Sequence, residues 1–233
     1  MKLLKMVVGL GLVLPCVVLT RVLWGLLLAA RTDLGVFLPP PALALVGGGL
    51  IWTLLFMIFP QPLRSYILAH ELTHALWGLL MGASISKIRV RADHGSVVLS
   101  KTNFLITLAP YFFPFYTVLV ILVYHLLGIF YDVQPYALFW LALVGFTWAF
   151  HATFTVNALL QHQSDIQQQG RLFSYTFIYL ANILGICFWV LLVTQAGWRD
   201  FAVLLDQHGR IAWHWALQAV RDVTSRIATQ QGA

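Results

Sequence analysis

Residues 69–78 read Ala69-His70-Glu71-Leu72-Thr73-His74-Ala75-Leu76-Trp77-Gly78, two histidines and a glutamate inside an otherwise apolar stretch. Ionisable groups are costly at membrane depth and sit there when they have a task. His70 and His74 are four residues apart, so a helix carries both imidazoles on one face, one turn apart. At that spacing they can converge on one metal ion, as zinc-binding histidines do. Glu71 follows the first histidine and can reach a water on the metal rather than the metal. This is the His-Glu-x-x-His arrangement, in which zinc lowers the pKa of its water and the glutamate accepts the proton. The chain has eight histidines but a single glutamate, and that glutamate stands here. The bland alternative is a pair of core histidines satisfied by neighbours, with a buried neutral acid. It gives no reason for three ionisable groups within five residues.

The surrounding sequence sets the context. Of the 233 residues, 60% are hydrophobic and 9% charged, with a mean hydropathy of +0.83. Soluble domains carry about 25% charged residues, so the expected fold class is an all-α polytopic membrane protein. A spanning helix takes about 20 mostly apolar residues. Six stretches qualify, near residues 4–30, 41–59, 66–82, 103–130, 135–160 and 172–197. Pro39-Pro40-Pro41, Pro60-Gln61-Pro62 and Asp132-Val133-Gln134-Pro135 punctuate them. Residues 1–65 thus read as N-terminal membrane helices, 66–170 as a core around the histidines, 171–198 as a further membrane helix and 199–233 as an amphipathic tail. The first stretch begins like a signal peptide. Its apolar run passes Arg21 without a small-x-small cleavage site, so it reads as a retained helix, a cleaved signal being the alternative.

Between the stretches 66–82 and 103–130 the pattern changes. Ser84-Ile85-Ser86-Lys87-Ile88-Arg89-Val90-Arg91 alternates apolar and polar residues, Ala92-Asp93-His94-Gly95 makes a turn, and Ser96-Val97-Val98-Leu99-Ser100 partly alternates again. A β-hairpin over about 84–100 is expected. Cys16 and Cys187 both lie in apolar runs and read as small buried hydrophobes. The net charge of +6 resides mostly in loops and tails. That suits anionic lipid headgroups, and no basic-aromatic groove for nucleic acid is evident. The positive-inside count is nearly balanced. A cytoplasmic loop 83–102 takes Lys87, Arg89, Arg91 and Lys101 inside with Arg31 and Arg171, and leaves Lys2, Lys5, Arg64 and the tail outside.

Two histidines do not complete a hydrolytic zinc site, which takes three protein ligands and a water. Among the aspartates, Asp165 closes the fifth apolar stretch, in Asn157-Ala158-Leu159-Leu160-Gln161-His162-Gln163-Ser164-Asp165. If 66–82, 103–130 and 135–160 alternate in direction, the end of the last returns to the side where the first ends. Asp165 then meets the histidine pair. His162, one turn earlier, is the rival third ligand, and His151 lies two turns deeper.

Taken together, these residues resemble the site-2 protease family of intramembrane zinc metallopeptidases. Its members carry His-Glu-x-x-His on one membrane helix and Asn-x-x-Pro-x-x-x-x-Asp-Gly on a later one. Asn157 and Asp165 match the asparagine and aspartate of the second motif at the same separation, while Leu160 replaces its proline and Ile166 its glycine. The hairpin is similar to membrane-associated strands of that family. Leu108-Ala109-Pro110-Tyr111 stands where many members have a Gly-Pro segment. The resemblance covers roughly residues 66–170. It implies Zn²⁺ held by His70, His74 and Asp165, Glu71 as the catalytic base, and Asn157 at the substrate backbone, unless Asn157 makes only a helix–helix hydrogen bond. The implied activity is hydrolysis of peptide bonds in membrane-spanning or membrane-associated proteins. A locally extended substrate would pair with the hairpin edge, and residues 88–90 are where a proline should impair cleavage. Without the proline and glycine, the break presenting Asp165 must come from the polar run Gln161 to Gly170.

Two other function classes use the same residues. One is a metal-ion or proton transporter with the histidines and Asp165 as a transient path, against which stand the lack of an inverted repeat and of a second polar cluster. The other is a non-catalytic binder of membrane helices, which an intact Glu71 argues against. The expected partners are a membrane protein substrate and the lipid bilayer, with no nucleic acid and the oligomeric state left open. The expected location is a bacterial inner membrane.

Overall fold

The computed structural model describes residues 2–30, 38–91, 94–161 and 163–231. The elements are α1 (Lys2–Ala29), α2 (Pro40–Ile58), α3 (Leu63–Leu80), β1 (Ile85–Val90), β2 (Gly95–Leu99), α4 (Phe104–Leu108), α5 (Phe115–Phe130), α6 (Ala137–Leu160), α7 (Ser164–Gln169), α8 (Arg171–Val193) and α9 (Trp198–Gln231). Single 3-10 turns at Ala109–Tyr111 and Gln134–Tyr136 lead into α5 and α6. The fold is thus all-α with one small two-stranded antiparallel sheet.

Local chemistry sets most boundaries. Prolines open α2, where a missing N–H costs nothing and φ is already helical. Asn103 caps α4 by accepting the Ile106 N–H at 2.9 Å. Two glycines with positive φ, Gly82 at 73° and Gly170 at 91°, turn the chain after α3 and between α7 and α8. β1 and β2 pair from Ile85↔Leu99 to Val90↔Gly95, with an irregularity between Ile85 and Lys87, and the Arg91 N–H donates to the His94 carbonyl. Ala92 and Asp93, at the expected turn, lie outside the described residues.

The long helices pack as interleaved pairs. α1 and α8 run parallel: Gly9 lies against the Phe173 backbone, while Val22 and Leu26 share a core cluster with Cys187 and Val190. α2 and α6 also run parallel. Gly48 and Gly145 lie so close to the backbone carbonyls of Ala142 and Leu45 that neither site has space for a Cβ. Further along, Trp52 packs on Phe146 and Phe150, and its Nε1–H donates to Thr153 Oγ1 at 2.9 Å. α5 runs antiparallel to α6, Thr117 meeting Thr147 and Tyr124 meeting Trp140. The two cysteines are buried and unpaired. α9 follows α8 and packs its first half on α1, where Phe201, Leu204 and Ala212 join the cluster around Leu26. Beyond Ala212 it stands largely exposed, with the Arg21 guanidinium 5.4 Å from the centre of the Trp215 ring.

Four of the six expected spans appear as helices long and apolar enough to cross a membrane: Leu3–Ala29, Pro40–Ile58, Gln134–Leu160 and Arg171–Val193. The stretch 103–130 is not one straight helix. It breaks around Pro110 and Pro114 into two segments, Phe104–Tyr111 and Phe115–Phe130, that meet at 80° and make a fifth span only if counted together. Proline removes a backbone donor and clashes with the preceding turn, so two of them four residues apart end one helix and start the next. The remaining expected span, 66–82, is not a candidate: α3 carries Arg64, His70, Glu71 and His74, and its apolar content falls short.

Candidate metal centre

α3 presents His70 and His74 from one face, as their spacing requires. Their Nε2 atoms lie 3.2 Å apart. Asp165 arrives from the far end of the core, because α6 stops at Leu160 and the chain re-enters a helix only at Ser164. The break falls at Gln161, whose extended backbone (ψ 166°) replaces any proline signal. Asp165 therefore stands in the first turn of a separate short helix, α7, and not at the end of the long one. Its Oδ2 is 3.5 Å from the Nε2 of both histidines. Burial alone would raise the Asp165 carboxyl. The His70 and His74 imidazoles outweigh that and hold it well below the usual carboxylate range.

Three donor atoms thus form a triangle with edges of 3.2, 3.5 and 3.5 Å. Ligands about 2.0–2.1 Å from a tetrahedral zinc ion lie about 3.3–3.4 Å apart, so one face of such a tetrahedron fits here. His70, His74 and Asp165 could hold a metal ion, and they are the one such group among the described residues. His162 lies outside the described residues. His151 does not join the group; it is buried in α6 and lines a separate small void behind α3.

Neighbouring groups orient the ligands. The Ile106 carbonyl accepts the His74 Nδ1–H at 2.8 Å, which directs the Nε2 lone pair to the triangle. Tyr66 Oη lies 3.4 Å from His70 Nδ1, and the Tyr66 ring stacks on Phe154. Tyr111, fully buried, donates its hydroxyl to Asp165 Oδ2 at 3.1 Å. Asn182 from α8 donates to the Tyr111 carbonyl at 2.9 Å. None of these partners was assigned a role from the sequence. Tyr111 stood only in the Leu108–Tyr111 stretch, and Tyr66 had a signal in its place one turn before His70.

Glu71 is buried on the opposite edge of the histidine face, against the hairpin. A Cβ on Gly95 would fall 2.5 Å from Glu71 Cγ and 2.6 Å from its Oε1, so the absence of a side chain at Gly95 lets β2 lie on the glutamate. A cleft of about 790 Å³ opens over His70, Glu71, His74 and Asp165. β2 forms one wall, from Gly95 to Leu99, and β1 contributes nothing to it, so the strand at the cleft is not the one carrying residues 88–90. Asn157 also lines the cleft, beside Gln161, whose amide donates to it at 3.4 Å.

Chemically, the arrangement offers three ligands on one side of a metal position, an open side toward a polar cleft, and a carboxylate next to that opening. Comparison of the chain with protein families, with curated proteins and with solved structures finds no match to any of them.

Proposed function

We propose that the protein is an intramembrane zinc metalloendopeptidase of the site-2 protease type, cleaving membrane-spanning or membrane-associated protein substrates. The observation that carries this is the triangle of His70, His74 and Asp165 with Glu71 beside its open side. Three ligands at right angles on an octahedral metal would lie about 3.0 Å apart at bond lengths near 2.1 Å, which the wider triangle fits less well than a tetrahedral zinc. A zinc ion there would supply Lewis acidity to a carbonyl oxygen and to water. His74 is kept in the correct tautomer by the Ile106 carbonyl, and Tyr111 holds the Asp165 carboxylate in place. Glu71 accepts the proton of the attacking water and passes it to the leaving amine. The cleft admits an extended segment between β2 and Asn157. The free edge of β2 can pair with substrate backbone, and Asn157 can bond to the same strand.

Replacement of Glu71 by glutamine in the purified protein tests this. Retained zinc with lost cleavage of membrane-anchored test substrates is the expected result; undiminished cleavage removes Glu71 as the base. Metal flux into vesicles without proteolysis would favour a transporter. The single ligand group among the described residues counts against a transport path.

A further inference from the structure

Asp165 belongs to a helix of six residues, Ser164–Gln169. Helices this short do not hold themselves, so where the ligand points depends on what grips the rest of the helix. Ile166 is buried against Leu108, Tyr111 and Phe173, and Ser174 Oγ donates to its carbonyl at 3.3 Å. These contacts, with the Tyr111 hydroxyl on Asp165, hold the first turn of α7, and the last turn is held at Gln169.

Gln169 lies four residues after Asp165 and so on the same face. Its Nε2 donates to Thr107 Oγ1 at 3.3 Å, and its Oε1 accepts from Lys5 Nζ of α1. Thr107 in turn donates to the Asn103 carbonyl at 2.8 Å. The residue before Thr107 is Ile106, whose carbonyl fixes His74. Two consecutive residues of α4 therefore hold the elements that bring ligands from α3 and from α7, and Lys5 closes the same network from the first membrane helix. Gln169 is buried, where an amide without partners would be expensive.

We propose that Lys5 and Gln169 are positioning residues for the metal centre: through Thr107 they set the rotation of α7, hence the aim of Asp165, and so the metal affinity. α1 is then a working part of the site and not merely an anchor. The proposal rests on the reading of His70, His74 and Asp165 as a metal centre. Its test is Zn²⁺ affinity of the full chain in detergent, measured by competition with a chromogenic chelator, with Co²⁺ absorption as a report on ligand geometry. Lys5→Met and Gln169→Leu should each weaken Zn²⁺ about tenfold and alter the Co²⁺ spectrum, with the metal-free protein still folding cooperatively at a modestly lower melting temperature. The double variant should be no more than about twofold weaker than the worse single, because both act through one network. Lys5→Arg should restore most of the affinity. If Gln169→Leu does not fold, Gln169→Glu keeps the Lys5 contact, removes the donor to Thr107 and is read the same way. Single variants within about twofold of the wild type, or losses that multiply in the double variant, overturn the proposal. Asp165→Asn separates the two levels: if it binds Zn²⁺ as the wild type does, the metal centre itself falls. If it loses Zn²⁺ while Lys5→Met does not, only the positioning role falls.

Discussion

At the scale of single residues, the site divides into what spacing reveals and what only packing reveals. His70, Glu71 and His74 are legible because helix geometry alone fixes their relation, and because no other glutamate competes for the role. The approach of Asp165 is less so, since two motifs separated by some ninety residues meet only through the bundle. Tyr111 is not legible at all as a partner: in sequence it is one more aromatic beside a proline, and its hydroxyl gains meaning only from Asp165 at 3.1 Å. Tyr111→Phe keeps the buried ring and removes that bond. Zinc titration should show affinity falling about tenfold with the fold intact, in the range typical of groups that orient metal ligands. Gly95 is a different case, since its role is to be small. Gly95→Val must displace either the hairpin or Glu71. Under the proposed function, cleavage should drop by at least about tenfold while one zinc per chain is retained, because Glu71 would move and His70, His74 and Asp165 would not. Loss of zinc instead would mean that the hairpin supports the metal ligands themselves.

At the scale of elements, alternation in residues 84–100 was enough to expect the hairpin, and the two strands pair within that range. Which strand faces the cleft was not legible, because alternation marks two faces without saying what lies beside either edge. That edge is on β2. In an antiparallel pair successive N–H groups point alternately to the partner and away from it. Ser96→Pro and Val97→Pro, made separately, therefore remove one inward and one outward donor. The outward one should cut substrate cleavage with zinc content unchanged, and equal activity of both variants would exclude strand addition at this edge. The long apolar run 103–130 hid its bend, although Pro110 and Pro114 were in view. Apolar length argues for one span, and only the stereochemistry of proline argues against it. The contact of α2 with α6 depends on Gly48 and Gly145, whose backbones touch the partner helix as small residues allow in membranes. Gly48→Leu forces the helices apart. About 2–3 kcal/mol of destabilisation is expected for such overpacking, read as a lower midpoint of thermal unfolding in detergent.

At the scale of the whole molecule, the polar residues that mark the site also misled the count of spans. A segment with two histidines, a glutamate and an arginine looked membrane-length but lacks the apolar content to cross. The parallel packing of α2 with α6 has a larger consequence. α6 is antiparallel to both α5 and α8, since Tyr175 of α8 meets Leu159 and Gly185 meets Trp148. The end of α2, the end of α6 and the starts of α1 and α8 therefore all lie at one end of the bundle, while α5 starts halfway along α6, where Tyr116 and Thr117 meet Phe150 and Thr147. Residues 59–114, with α3 and the hairpin, lead from that end to the middle of the bundle, and α3 is not itself a spanning helix. Among the described residues, Lys5, Arg64, Lys87, Arg89, Arg91, Lys101 and Arg171 then belong to that end, and Arg199, at the start of α9, to the other. By the positive-inside rule, this grouping predicts that the hairpin side faces the cytoplasm. In spheroplasts, an impermeant maleimide should label Gln207→Cys and leave Ser86→Cys unlabelled until the membrane is opened, the native cysteines being buried. Labelling of both from outside would refute this sidedness. If the labelling gives the expected result, the cleft beside the hairpin opens toward the cell interior, and its water and any metal it binds are supplied under cytoplasmic conditions and not from the medium.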